Sequence, residues 1–380
     1  MKILQVFDFF SLPHGGGTAD IIAKLSKALV DRGHEVTICT GDYEFDWEFI
    51  DSVPLFRANI SVFHSRLNRF GIYWMPELKS FDISKFDAVH FHCYRSYQNS
   101  VLYRKAIKAG VPYIVDAHGS TVDKGAKNVL RKVYDLAWGY DSLKHASRVI
   151  AETEIGVAEW QKLGVPDSKI TLLHPFIDIH EFENLPKRGE FRDKHHIADH
   201  IVLFMGRINK EKGLSFLVKA FGKLNDVRPD VTLVIVGQDD GYQSKLEDQI
   251  IFGEALSNKV VFTGFLSGRD KLSALVDADM LIQPSRNEAG ARPSLEALMC
   301  NIPVIVTENT GAGLEIRGMN GGFTVQYGNC DELAIYMRQI LDDPTSAQIK
   351  VQCGKEYIKA NLSLESQIVR YEALYNEVMA

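Results

Sequence analysis

Short apolar runs alternate with amphipathic stretches along the first half of the chain. Runs at Lys2–Phe7, Glu35–Thr40, Ala88–His92, Tyr113–Asp116, Arg148–Ala151 and Ile170–Leu173 predict strands, and Thr18–Arg32 reads as a helix between the first two. Strands and helices in this rhythm make a parallel α/β sheet. A polar stretch, Asp178–His200, with Pro186, Lys187, Arg188 and Gly189, reads as a linker or domain entry. The alternation restarts at Ile201–Met205 and continues through Val231–Val236, Val260–Thr263, Met280–Gln283 and Pro303–Thr307. The pattern predicts two doubly wound α/β domains, residues 1–174 and 175–361, with a ligand between the facing carboxyl ends of their strands. A last helix is expected over about Leu364–Val378.

Composition narrows the class of function. A chain of 380 residues is long enough for two full cores. Net charge is −6, residues 1–180 are balanced, and no basic tract points to nucleic acid as a partner. Cys39, Cys93, Cys300, Cys330 and Cys353 show no CxxC spacing, so neither a zinc site nor a disulfide framework is expected, and a reducing cytoplasm is the expected location. MKILQVFDFF reads as a first strand rather than a signal peptide, because Asp8 interrupts its apolar run. No apolar run is long enough to span a bilayer.

The segment Gln283–Thr307, QPSRNEAGARPSLEALMCNIPVIVT, sets Glu288 and Glu296 around a predicted helix start. Pro293 suits the first helical turn, and Gly290 allows a ligand to approach the backbone. Eight helical residues rise roughly 12 Å, enough to hold the two ends of a nucleotide sugar. Glu288 can then accept from sugar hydroxyls and Glu296 from a ribose diol, with N–H groups between them facing a diphosphate. Taken alone, two such glutamates are more often a solvated loop acid and a helix-surface acid.

Other candidates follow strand ends. Gly15, Gly16 and Gly17 come after the first strand and allow tight folding against an anion, though a glycine-rich turn also simply joins strand to helix. Arg207 and Lys212, in FMGRINKEKGLSFLVKAF, are two cations able to offset charge on a departing diphosphate, whereas Lys210 and Glu211 read as ordinary surface residues. His118 in VDAHGS follows a buried strand; a lone histidine there is more often structural than catalytic. Asp116 is a candidate base or a loop-holding acid. Asp239 and Asp240 invite a metal reading, but no third ligand at suitable spacing supports it.

EAGARPSLEALMCNIPVIVT resembles the signature of the retaining glycosyltransferases of family 4, also called glycosyl transferases group 1, in which two glutamates separated by seven residues precede an Ala-rich helix and a buried strand. This chain departs from it in carrying Gly290 and Ala291 where the family usually has an aromatic residue and a glycine. The resemblance implies a GT-B fold with the last helix, residues 362–380, crossing back onto the first domain. It implies transfer of a sugar from a nucleoside-diphosphate sugar, UDP ahead of GDP, to a hydroxyl of a saccharide or lipid-linked saccharide, with retention of configuration. Neither metal nor cofactor is implied, since the nucleotide sugar is a substrate. The spacing of Arg207 and Lys212 matches the family's, and they are implied beside the diphosphate. Gly15, Gly16 and Gly17 are implied near the diphosphate and sugar, and His118 beside the donor sugar as a hydrogen-bonding group. Phe265 and Leu266 are implied at the nucleobase, and Gly290, Ala291, Arg292, Pro293, Ser294 and Leu295 along the donor between the two glutamates.

Two other classes stay open at this point: an epimerase or phosphorylase of the same fold, and a non-catalytic nucleotide-sugar binding protein. For the acceptor, Phe63–Met75 and Lys124–Arg148 mix basic and aromatic residues, which suits peripheral contact with the inner face of a membrane or an ordinary loop and solvated helix.

Overall fold

The computed structural model describes residues 1–10, 12–42, 59–63, 74–121, 128–253 and 256–380. These divide into two compact units, Met1–Phe176 with Leu364–Ala380, and Ile177–Ser363. Most of the expected membrane-facing segment Phe63–Met75, and residues 124–127 of the other, lie outside the described residues.

In the first unit, β1 (Lys2–Phe9), β2 (Glu35–Gly41), β3 (Asn59–Phe63), β4 (Ala88–His92), β5 (Tyr113–Asp116), β6 (Arg148–Ala151) and β7 (Ile170–Leu172) form one sheet in the order β3-β2-β1-β4-β5-β6-β7. In the second, β8 (His200–Met205), β9 (Val231–Val236), β10 (Val260–Gly264), β11 (Met280–Gln283), β12 (Val304–Thr307) and β13 (Phe323–Val325) run in the order β10-β9-β8-β11-β12-β13. Every pairing in both sheets is parallel. Each sheet reverses its winding beside its first strand, between β1 and β4 and between β8 and β11. Helices depart to opposite faces there, which opens a crevice at the carboxyl ends.

Alternation along each strand builds the two-sided core. Leu203, Val234 and Val236 pack to one side of the second sheet, while Val202, Phe204, Leu233 and Ile235 pack to the other. Helix Leu214–Asn225 buries Leu214, Leu217, Val218, Phe221 and Leu224 at helical spacing, each contributing about 1.5–3 kcal/mol of transfer free energy. In the first unit, helix Leu364–Met379 sets Ile368, Tyr371, Leu374 and Tyr375 against Ile3, Ile114 and Ile150.

Three local expectations need correction. The first helix spans Leu12–Asp31, so Gly15, Gly16 and Gly17 lie in its first turns rather than in a loop before it. Glycine's poor helix propensity is overridden by what the helix gains in packing further along, through Ile21, Leu25 and Leu29. The polar stretch Asp178–His200 is a domain entry and not a linker: it is part of the second unit, its helix Glu190–His195 buries Phe191, and the fully buried Asp277 accepts from the N–H groups of Phe191 and Arg192 at 2.8 and 2.9 Å. Edge strands β3 and β13 are not among the expected strands and add one strand at the outer end of each sheet. Among the described residues no helix is long and apolar enough to cross a membrane.

Candidate active site

The strand order of the second unit brings the loop after β8 against the loop after β11. Asn209 caps the turn Lys210–Lys212, its side-chain oxygen accepting from the N–H groups of Glu211 and Lys212 at 3.1 and 3.2 Å. Gly213 follows at φ +70°, and a Cβ there would collide with the Pro284 carbonyl, so the approach requires glycine. Glu211 is more than a surface residue: its carbonyl accepts from Arg286 N–H at 2.8 Å and its carboxylate from Asn287 at 2.9 Å, tying the two loops together.

This contact places Lys212 Nζ 2.6 Å from Glu288 Oε2, which also accepts from Ser285 Oγ at 2.8 Å. Burial alone would raise the Glu288 carboxyl. The Lys212 charge and hydrogen bonds from Lys212, Ser285 and Gln283 outweigh it and hold the group below its ordinary value, so it is ionised at neutral pH. Its backbone is fixed as well: Glu288 C=O accepts from Gly311 N–H at 2.8 Å, and a Cβ on Gly311 would strike the Ala289 carbonyl.

Helix Arg292–Met299 begins one turn further on, with Pro293 in its first turn. Gln283, at the end of β11, fastens this start by donating to Gly290 C=O at 3.2 Å and accepting from Ser294 Oγ at 2.7 Å. Ala291 N–H is taken by Glu315 at 3.0 Å. Leu295 lies in the core and its N–H bonds Ala291 C=O, so neither its side chain nor its N–H is presented to a ligand here. Glu296 is 5% exposed, and its Oε1 receives Lys271 Nζ at 3.1 Å and Arg292 Nε at 3.4 Å. Burial works against the Lys271 charge, but Glu296 opposes that and leaves its pKa raised.

The remaining predicted donor residues are more open. Arg207 is 61% exposed at its side chain and reaches Asp240 at 3.4 Å. Phe265 is exposed and Leu266 half-buried, just beyond the end of β10. Asp240 also accepts from Asn209 at 3.1 Å, and Asp239 caps the N–H groups of Tyr242 and Gln243 at 2.9 and 3.0 Å, so both aspartates hold the loops that carry them.

In the first unit, His118 follows β5 in the left-handed region at φ +44°, with Gly119 at φ +73°. Such a histidine costs about 1–2 kcal/mol, and strain of this kind collects at functional sites. Its Nδ1 lies 2.7 Å from Glu152 Oε1, its Nε2 2.9 Å from His92 Nδ1, and its Nε2 3.6 Å from Asp116 Oδ2. Burial would lower its pKa, but the Asp116 and Glu152 charges and the Glu152 hydrogen bond raise it to about 9. Asp116 is raised, first by burial and then, against the opposing His118 charge, by Glu152. Asp116 also holds the loop, accepting Cys93 N–H on its carbonyl at 2.8 Å.

Family models match nearly the whole chain: glycosyltransferase family 4 over residues 15–181 and glycosyl transferases group 1 over residues 187–357. The chain belongs to glycosyltransferase family 4. The enzyme is 26% identical over 356 residues, 90% of each chain, to an uncharacterized glycosyltransferase of Methanocaldococcus jannaschii. It is 27% identical over 262 residues, 66% of each chain, to 2-deoxystreptamine glucosyltransferase of Streptomyces kanamyceticus. Its fold is GT-B: the structure of Anabaena HepE in complex with UDP and glucose matches with a TM-score of 0.83 at 19% identity, covering 99% of this chain and 100% of that one. As a member of this family the chain is a glycosyltransferase that takes its sugar from a nucleotide sugar.

Several residues that hold the predicted site side chains in place carry no local signal. Lys271, His92 and Gln5 sit in ordinary helix or strand sequence and Glu152 in the bend just after β6, and all gain their hydrogen bonds from the partners that the fold supplies. Ser285 is the exception: three residues before Glu288 in a loop, it stands within reach of that carboxylate.

Proposed function

We propose that this glycosyltransferase moves a hexosyl group from a nucleoside-diphosphate sugar, UDP ahead of GDP, to a hydroxyl of a saccharide or lipid-linked saccharide, retaining the anomeric configuration. The observation that carries the proposal is the ion pair of Lys212 and Glu288 at the winding reversal of the second sheet, where doubly wound sheets bind ligands. In this reading Glu288, kept ionised, accepts from sugar hydroxyls as positive charge grows at the anomeric carbon. Lys212 and Arg207 offset the negative charge on the departing diphosphate, a fixed electrostatic contribution that needs no metal. Glu296, held by Lys271 and Arg292, takes the ribose hydroxyls. Backbone at Phe265 and Leu266 meets the base, and the segment Gly290–Ser294 lies along the donor. Gly15–Gly17 and His118 complete the donor's surroundings.

Glu288 is committed to Lys212 and Ser285, which suits hydrogen bonding better than nucleophilic attack. A front-face reaction follows, with the leaving phosphate accepting the acceptor's proton. UDP is favoured because Anabaena HepE is described with UDP and with UDP-glucose. A membrane-associated acceptor is favoured by helix Asn128–Tyr134, where exposed Val129, Leu130 and Val133 adjoin Arg131 and Lys132, the apolar and basic signals a peripheral contact uses. Proton NMR of the product formed from UDP-α-sugars and GDP-α-sugars tests the proposal. An α-linked product, formed faster from UDP donors, supports it, and a β-linked product contradicts it.

A further inference from the structure

A buried line of hydrogen bonds runs from His118 to helix Leu364–Met379. His118 Nε2 is 2.9 Å from His92 Nδ1, and His92 Nε2 is 2.6 Å from Gln5 Oε1. Gln5 Nε2 is 3.1 Å from Tyr375 Oη, which lies 2.8 Å from His90 Nδ1. Gln5, His90, His92 and Tyr375 are all at most 1% exposed, so their polar groups depend on one another.

Donor and acceptor roles can be followed along the line. The amide oxygen of Gln5 only accepts, so His92 Nε2 carries a proton. Burial, then the charges of His90 and His118, hold His92 well below its ordinary value, so it is neutral and its Nδ1 is a bare lone pair. That lone pair requires a proton on His118 Nε2. On the other side Glu152 Oε1 accepts from His118 Nδ1 at 2.7 Å. Both ring nitrogens of His118 are therefore protonated and occupied. Reversing the Gln5 amide would reverse every bond and leave His118 neutral before Asp116 and Glu152, so the two carboxylates select the first polarity. Two overlapping groups, His90 with His92 and Asp116, and Asp116 with His118 and Glu152, each set donor atoms within 4.8 Å of one another, and a metal ion in the second would have to displace a proton from His118.

We propose that Gln5, His92 and Glu152 are positioning residues that keep His118 doubly protonated, so that His118 serves sugar transfer through its fixed positive charge and never as a proton acceptor. The inference rests on the reading that His118 lies beside the donor sugar. With no lone pair on the ring, His118 cannot take the acceptor's proton, which agrees with its transfer to the leaving phosphate. Tyr375, at the far end of the line, accepts from the Gln5 amide and donates its own hydroxyl hydrogen bond to His90 Nδ1.

The test is nitrogen-15 NMR of the full chain carrying labelled histidine at pH 7, joined to steady-state kinetics with UDP-sugar donors. In the wild type His118 should show two protonated nitrogens and His92 one protonated and one bare. Gln5→Leu should leave His118 with a single proton and lower kcat about tenfold or more, as loss of an outer hydrogen-bond partner does elsewhere, with KM for the donor nearly unchanged. Gln5→Glu, which keeps an oxygen acceptor, should restore both. A bare Nε2 on wild-type His118 would overturn the proposal without any variant having to fold. So would full turnover in a Gln5→Leu protein whose His118 has lost its proton while His118→Asn is inactive. Full turnover of His118→Asn would instead remove His118 from the transfer reaction and so defeat the underlying reading.

Discussion

Lys212 Nζ and Glu288 Oε2 stand 2.6 Å apart although the residues are separated by 76 positions in the chain. Only the strand order makes this possible, since β8 and β11 are neighbours at the winding reversal. Lys212→Ala should lower kcat/KM by about 2–4 kcal/mol of transition-state stabilisation, as for other lost electrostatic donors. Removing the cation also leaves burial opposed on Glu288 only by the hydrogen bonds from Ser285 and Gln283. The acid limb of the pH–rate profile should then move to higher pH in Lys212→Ala, because a depressed carboxyl loses its charged form as pH falls through its folded pKa. An acid limb that stays in place would mean that Glu288 is not the group being titrated.

The two glutamates should separate in kinetics. Glu288→Ala should cut kcat by orders of magnitude and leave nucleoside diphosphate affinity almost intact, because the lost contact belongs to the sugar. Glu296→Ala should weaken nucleoside diphosphate binding, measured by calorimetry, and also remove the carboxylate that two partly buried cations, Lys271 and Arg292, share. Equal effects of both substitutions on nucleotide affinity would argue against the assigned division of labour.

Gly213→Ala tests the loop contact that sets the pair. Alanine at φ +70° costs about 1–2 kcal/mol, and its Cβ would also displace the Pro284 carbonyl. Thermal unfolding should occur at lower temperature, and activity should fall further than stability alone explains. Unaltered activity would show that the two loops need not touch.

The pH dependence of the first unit follows from His118. Its pKa is raised in the folded state, to about 9 from an ordinary 6.5, by Asp116 and Glu152 acting against burial. A raised folded pKa contributes stability that is fully present below the unfolded value and is lost as pH rises through the folded one. Denaturant unfolding should therefore show stability falling between about pH 6.5 and 9, and His118→Asn should flatten that slope. A slope unchanged by the substitution would assign it to other groups.

How much of this was legible depended on where each residue's partner lies. The central strands were readable because runs such as VTLVIV in β9 are buried along their whole length, and Glu288 was readable from its spacing to Glu296. The start of the first helix was not, because Gly15–Gly17 look like a turn until packing is known. His92 was hidden for a different reason: in AVHFH a histidine looks like one more core position, and only register brings β5 and His118 beside it. Lys271 and Glu152 likewise look like surface charges until a parallel neighbour or an adjacent helix supplies the opposing group.

Sugar transfer from a nucleotide sugar can be followed by mass spectrometry after incubation with a panel of nucleotide sugars and saccharide or lipid-linked acceptors. One donor should be lost, its nucleoside diphosphate released and an acceptor made heavier by one sugar residue, all absent with Glu288→Ala. Donor converted only to an epimer, or bound by the wild type without turnover across the whole panel, would contradict sugar transfer.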